Sequence, residues 1–342
     1  MKIINMLSSA DKVKGQGVGS AYLEQVALVQ SGLNHNFEIE INSNKEGDIN
    51  HYHTIDLKHY LKVLTKKNPI HLGYVHFLPE TIDGSIKLPK PIRKLFDSYI
   101  ISFYKKMDHL VTVNPYFIDL LEQHGIEREK IKYIPNYVSS EQFFKMSDDE
   151  ILIGKEKFGI YPNNFVVLGV GQVQTRKGVL EFVDLAKKNP DKTFVWAGGF
   201  SFGAITDGYT ALKEIVEHPP ENVKFLGIVD RKEMNLIYNM ADVLFMPSYN
   251  ELFPMSILEA MSVGTPILLR NLDIYISILD GYYLKGDSQN QFNNIINQLS
   301  YDKSYYSHAC DMSKAGSKFY SADHVLAEWE KLYSQLVDKR VS

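Results

Sequence analysis

A single cysteine, Cys310, occurs in 342 residues. The chain therefore has no internal disulfide and no thiolate cage for a metal, which fits a reducing compartment. No Asp-x-Asp triplet occurs, and the histidines lack metal-ligand spacing, so metal-free chemistry is expected. No apolar run approaches the roughly 18 residues of a membrane-crossing helix; even Tyr99 to Tyr104 stops at Lys105-Lys106. The run Met1 to Leu7 is too short for a signal-peptide core and reads as a first β-strand. Net charge is only −4, so the whole molecule is not a polyanion binder. What remains is a folded globular chain, 44% hydrophobic and 23% charged, longer than one core usually supports.

Short apolar runs alternate with helical patterns from end to end, which predicts parallel α/β construction. Lys2 to Leu7, Phe37 to Ile41, Leu72 to Phe77, His109 to Val113 and Ile131 to Ile134 read as strands of one series. Phe165 to Gly171, Thr193 to Ala197, Val223 to Leu226, Val243 to Met246 and Pro266 to Leu269 form a second. Tyr22, Val26, Val29 and Leu33 make a helical stripe, as do Trp329, Leu332, Tyr333 and Leu336 near the C-terminus. Two doubly wound domains are expected, residues 1–145 and 146–318. A C-terminal helix, 319–342, is expected to pack back on the first, with the linker near Ser139 to Glu150. Ligands of such sheets bind beyond the carboxyl ends of the strands, here expected in a cleft between the domains.

Two segments carry chemistry. In the first, strand Val243 to Met246 runs into Pro247-Ser248, then a loop with Glu251-Leu252-Phe253, then a helix starting near Pro254-Met255-Ser256 and containing Glu259. Proline suits a first helical position, and the open amides after it favour an anion at the positive end of the helix dipole. Two carboxylates near that point suit sugar hydroxyls, since each accepts hydrogen bonds in fixed directions. The second segment, Gly171-Gln172-Val173-Gln174-Thr175-Arg176-Lys177-Gly178, joins a strand to a helix. Its cations can neutralise a diphosphate leaving group. A glycine-rich stretch, Gly15-Gln16-Gly17-Val18-Gly19, follows the first strand and lets backbone approach a ligand closely.

Phe225 to Pro266, with its two glutamates separated by seven residues, resembles the retaining nucleotide-sugar glycosyltransferases of family 4, which have the GT-B fold. The likeness extends over nearly the whole chain, including Ile134-Pro135-Asn136. It implies that Glu251 contacts the donor sugar and Glu259 the ribose. Phe253, Pro254, Met255 and Ser256 would line the nucleotide with Gln172 and Gly17, and Arg176 and Lys177 would stabilise departing UDP. His76, in Tyr74-Val75-His76-Phe77, falls where the family places an active-site histidine and would bind the donor sugar or orient the acceptor. Leu252 and Pro254 stand where the family has glycines, and Gln172 stands where it commonly has arginine. No cofactor is implied beyond the UDP-glucose or UDP-galactose substrate.

Between Lys58 and Lys106, ten Lys and Arg face only Glu80, Asp83 and Asp97, an excess of seven on an acidic protein. Lys90, Arg93, Lys94 and Phe96 lie in a stretch that mixes base with Leu, Ile and Tyr, the combination an anionic membrane surface selects. Nucleic acid is not expected, because no nucleic-acid motif accompanies the local charge. The opening Met6 to Lys12 with the glycine stretch is similar to Gram-positive glycolipid synthases, which add a second galactose or glucose to α-monoglucosyl-diacylglycerol in building the lipoteichoic acid anchor. The expected enzyme is thus a UDP-sugar-dependent retaining hexosyltransferase. It would work in the cytoplasm, bound peripherally to the inner face of the cell membrane. Two rival readings are a family member acting on a soluble or polyprenyl-linked glycan, and a non-catalytic nucleotide-sugar binding protein.

Overall fold

The computed structural model describes residues 1–9, 17–65, 68–81, 89–201, 203, 206–251 and 253–338. The chain divides into two units: residues of 1–137 joined by 320–338, and Val138–Phe319. The first boundary falls eight residues before the expected position 145. Phe144 N–H and Met146 N–H donate to the side chains of Asn235 and Asn239, and Phe143 packs on the Tyr238 ring. These contacts tie the segment to the second unit.

The first unit contains strands β1 (Lys2–Leu7), β2 (Phe37–Ile41), β3 (Ile49–Tyr52), β4 (Ile70–Val75), β5 (His109–Thr112) and β6 (Ile131–Tyr133). All pair in parallel, in the order β2-β1-β3-β4-β5-β6. Its helices are α1 (Gly17–Leu33), α2 (Leu57–Thr65), α3 (Lys90–Lys105) and α4 (Tyr116–Gln123), with α13 (Ala322–Asp338) returning from the far end of the chain. β3 escaped the sequence reading because it is Ile-Asn-His-Tyr, with Asn50 and His51 fully buried. A polar strand gives no apolar-run signal.

The stripe of α13 is buried as its period predicts: Trp329 and Tyr333 stack with centroids 5.5 Å apart, and Tyr333 shares a 2.9 Å hydrogen bond with His51 of β3. Asn36 donates to Glu330 and Lys132 pairs with Glu328, closing the rim of this packing.

The second unit contains α5 (Asp148–Lys157), α6 (Val179–Lys188), α7 (Tyr209–Glu217), α8 (Arg231–Met240), α9 (Met255–Ser262), α10 (Asp273–Leu279), α11 (Gln289–Tyr301) and α12 (Lys303–Phe319). Its strands are β7 (Val166–Val170), β8 (Thr193–Ala197), β9 (Val223–Gly227), β10 (Val243–Met246), β11 (Ile267–Arg270) and β12 (Leu284–Gly286), parallel throughout in the order β12-β11-β10-β7-β8-β9. Phe182, Phe194, Trp196, Phe245 and Phe292 fill the core, with Phe182 edge-on to Trp196 at 5.1 Å.

The chain winds outward from β7 through β8 to β9, then crosses back to β10 on the other side of β7. The strand order thus reverses between β7 and β10, and the carboxyl ends of strands at such a switch are the place a ligand occupies in such sheets. Both chemistry-bearing segments of the sequence emerge there.

Candidate active site

After β7 the chain passes Gly171 at φ 143° and turns once through Thr175–Lys177 before α6 begins. The Lys177 stem lies over Gly171, where a Cβ would come within 3.3 Å of its Cε. Gly178 ends the turn at φ 70°, and a Cβ there would meet the Pro247 carbonyl oxygen at 2.6 Å. The two loops are thus pressed together at a point that only glycine permits. Gln172 lends its amide oxygen to Gln174, a fully buried neighbour.

On the opposite loop, Tyr249 N–H donates to the Arg176 carbonyl at 2.8 Å, and Arg176 Nη1 donates to the Asn250 carbonyl at 2.8 Å. These bonds deliver Glu251, 7% exposed, to the two cations. Lys177 Nζ donates to Glu251 Oε1, and Arg176 Nη1 stands 3.6 Å from Oε2. Burial works to raise the Glu251 carboxyl. Lys177 and Arg176 outweigh it and hold the group below the usual carboxylate range. Burial pulls the Lys177 ammonium down against the hold of Glu251. Tyr275 of α10 is a neighbour that sequence reasoning missed. Its hydroxyl is buried without a hydrogen-bond partner among the described residues, and burial, then the charge of Glu251, raise it well above a normal phenol.

Leu252 lies outside the described residues. Phe253 is buried, and Pro254 is the N-cap of α9, one position before the first helical residue where the sequence reading set it. Met255 and Ser256 open the helix after Pro254, whose side chain gives no cap, and the Ser256 hydroxyl turns to the Met246 sulfur at 3.3 Å. Glu259, also buried, belongs to a second polar cluster: Arg231 Nη1 donates to Oε1 at 2.8 Å and the Tyr238 hydroxyl to Oε2 at 2.6 Å. Arg176, Lys177 and Glu251 are brought together; Glu259 is held by different partners. Arg231 and Tyr238 have no sequence signal beyond their place on one helix.

In the first unit His76 follows β4, its ring 4.4 Å from Tyr74 and 5.7 Å from His53. Its Nε2 is buried without a partner among the described residues, and burial lowers the ring to about 3. His51 and His53 complete a histidine stack that the sequence reading did not assemble, with centroids 4.3 Å apart. Gly17 is the first residue of α1; Gly15 and Gln16 lie outside the described residues. On α3, Lys90 and Lys94 are exposed and Phe96 is half-buried. Arg93 is turned inward, donating to Asp97 at 2.7 Å and to the Pro79 carbonyl at 2.6 Å. Asn114 takes a turn role, accepting from Tyr116 N–H at 3.0 Å.

Among the described residues no group of three or more His, Cys, Asp or Glu is placed to hold a metal ion. No described helix is long and apolar enough to cross a membrane.

Two parallel six-stranded units, the second with a glutamate set between arginine and lysine at its strand switch, define a sugar transferase of the GT-B fold. Residues 152–319 match the family model of glycosyl transferases group 1, and the chain belongs to that family. It is 44% identical over 333 residues to the alpha-galactosylglucosyldiacylglycerol synthase of Streptococcus pneumoniae, covering 97% of this chain and 89% of that protein. It is 25% identical over 305 residues to the processive diacylglycerol alpha-glucosyltransferase of Acholeplasma laidlawii, covering 88% and 89%. In fold it resembles Anabaena HepE solved with UDP and glucose, with a TM-score of 0.78 at 16% identity over 98% of this chain and 100% of that one. The family resemblance read from Phe225 to Pro266 is borne out.

Proposed function

We propose that the protein transfers a hexose, galactose or glucose, from UDP to α-monoglucosyl-diacylglycerol with retained α configuration and without a metal. The observation that carries this reading is Glu251, ionised and buried between Arg176 and Lys177 at the β7–β10 switch. The two cations neutralise the diphosphate as its bond to the anomeric carbon breaks, assisted by the open amides of Met255 and Ser256. Glu251 accepts from the sugar hydroxyls and Glu259 from the ribose. The acceptor hydroxyl attacks on the leaving-group side, and its proton passes to the departing phosphate, which gives retention without a protein nucleophile. His76, neutral and with an Nε2 that has no partner among the described residues, suits a hydroxyl on the acceptor side. The names of the pneumococcal and Acholeplasma relatives support a diacylglycerol-borne acceptor.

Such an acceptor lies in a membrane, and the first unit carries a matching face. Leu57, Leu61 and Leu64 form an exposed stripe on α2 beside Lys58 and Lys62, and Ile92 and Leu95 are exposed on α3 beside Lys90 and Lys94. Tyr60 joins the helices, its hydroxyl 2.8 Å from Ser102 Oγ and its ring stacked on Phe103. Exposed leucine beside lysine suits the boundary of an anionic bilayer. This supports peripheral attachment to the cytoplasmic face of the cell membrane.

The test is incubation with each UDP-sugar and α-monoglucosyl-diacylglycerol, with and without EDTA, followed by mass and linkage analysis. A diglycosyl lipid of α linkage formed equally in EDTA supports the reading. Transfer to free disaccharide in preference to lipid, or no transfer, overturns it.

A further inference from the structure

Arg270 ends β11 and lies outside every segment singled out from the sequence. Its guanidinium nonetheless reaches both the Pro247–Tyr249 loop and the first turn of α6. Nε donates to the Pro247 carbonyl at 3.2 Å, and Nη2 pairs with Glu181 of α6. Nη1 reaches the Asp287 carbonyl at 3.5 Å. The plane of the guanidinium covers the Tyr249 ring with its carbon 4.3 Å from the centroid.

Pro247 and Tyr249 belong to the loop that presents Glu251. Glu181 stands in the first turn of α6, which begins just past Lys177 and Gly178. The Tyr249 hydroxyl also donates to Glu181 at 3.2 Å, and the Glu181 carbonyl is held by Gln289 at 2.8 Å. Arg270, Glu181 and Tyr249 therefore form a clamp between the Glu251 loop and the first turn of α6. The ion pair is largely shielded, its side chains 13% and 14% exposed, so the contact is firmer than a surface pair. Only a planar fork can stack on tyrosine while donating in several in-plane directions; a lysine ammonium cannot.

We propose that Arg270 is a positioning residue for sugar transfer. By locking the Pro247–Glu251 loop to the start of α6, the helix that follows the Arg176–Lys177 turn, it fixes the direction from which the Glu251 carboxylate meets the donor. Each of its three nitrogens has a protein partner, so it acts through Glu251 and not on the substrate. The inference rests on the reading of Glu251 as a donor-site residue.

The experiment is a double-mutant cycle on the full chain, with single-turnover transfer, UDP affinity and urea unfolding measured for each variant. Arg270→Gln is expected to lower the transfer rate about 10- to 100-fold, the effect of a misplacement near 1 Å. UDP affinity should change less than about threefold, since the phosphate cations remain in place. In a Glu251→Gln background the same change should cost less than about twofold, because a residue acting through Glu251 has nothing left to position. Arg270→Lys restores charge opposite Glu181 but should not restore the rate; if Arg270→Gln fails to fold, this variant carries the test. Multiplicative losses in the cycle, a wild-type rate in either Arg270 variant, or a loss matching the unfolded fraction overturns the proposal. A Glu251→Gln variant that transfers normally overturns the donor-site reading instead.

Discussion

Lys177 and Glu251 stand 74 residues apart in sequence and meet as a buried ion pair at the switch point of the second sheet. Neither has a reason to be dry on its own account. Removing charge from water is expensive, and a pair of this type seldom raises stability above that of a well-packed apolar pair. Its presence at a strand switch is better explained by chemistry than by folding.

That reasoning separates stability from activity. Glu251→Leu alone strands the buried Lys177 and should cost about 3–5 kcal/mol, and Lys177→Met, which leaves Glu251 the Arg176 guanidinium, should cost less. The double variant should regain most of that loss in urea unfolding while transfer stays absent. Recovery of transfer in the double variant would contradict the assigned roles.

Tyr238→Phe removes the hydroxyl that donates to Glu259 Oε2. Leaving a buried carboxylate oxygen short of a donor should destabilise the second unit by about 1–3 kcal/mol. With Glu259 on the ribose, the donor KM should rise several-fold while kcat holds within about twofold. Steady-state kinetics with varied UDP-sugar checks this.

Stability should also fall on mild acidification. His51 and His76 are depressed to about 3, His51 and His76 both chiefly by burial. In an unfolded chain they return to about 6.5. Between those values the unfolded state binds protons that the folded state does not, so stability is complete above about pH 6.5 and declines below it. The slope reaches about 1.4 kcal/mol per pH unit for each histidine. Denaturation at about pH 7.5 and about pH 5 should show the loss, and His76→Gln should reduce it by one histidine's share.

The exposed face of α2 and α3 predicts a binding defect confined to lipid. Leu61→Asn with Leu95→Asn should weaken binding to phosphatidylglycerol vesicles about tenfold or more, because each buries apolar area at the acyl boundary. Lys90→Gln with Lys94→Gln should act similarly at low salt and fade as salt rises. UDP binding should be unchanged in both. Vesicle sedimentation with isothermal titration of UDP reads both quantities.

Much of the fold could be read from the sequence where side chains declare a period. Val243 to Met246 and Thr193 to Ala197 match β10 and β8 residue for residue, because a strand buried on both faces is an uninterrupted apolar run. β3 and the short β12 were missed: the first hides histidine and asparagine in the core, and the second is three residues long. Arg176, Lys177 and Glu251 could be found because they lie in loops whose pattern carries chemistry. Arg231, Tyr238, Tyr275 and Arg270 could not, because each becomes part of the site only when one element packs on another.

The return of α13 to the first sheet has a consequence for synthesis. The ribosome issues all of Val138–Phe319 before the helix that supplies Trp329 and Tyr333 to the first unit. All strands of both sheets are therefore made while the first sheet still lacks the wall that α13 supplies. A nascent chain paused near Phe319 would present His51 and its neighbours to water or to a chaperone, with that gap closing only as the last turns emerge.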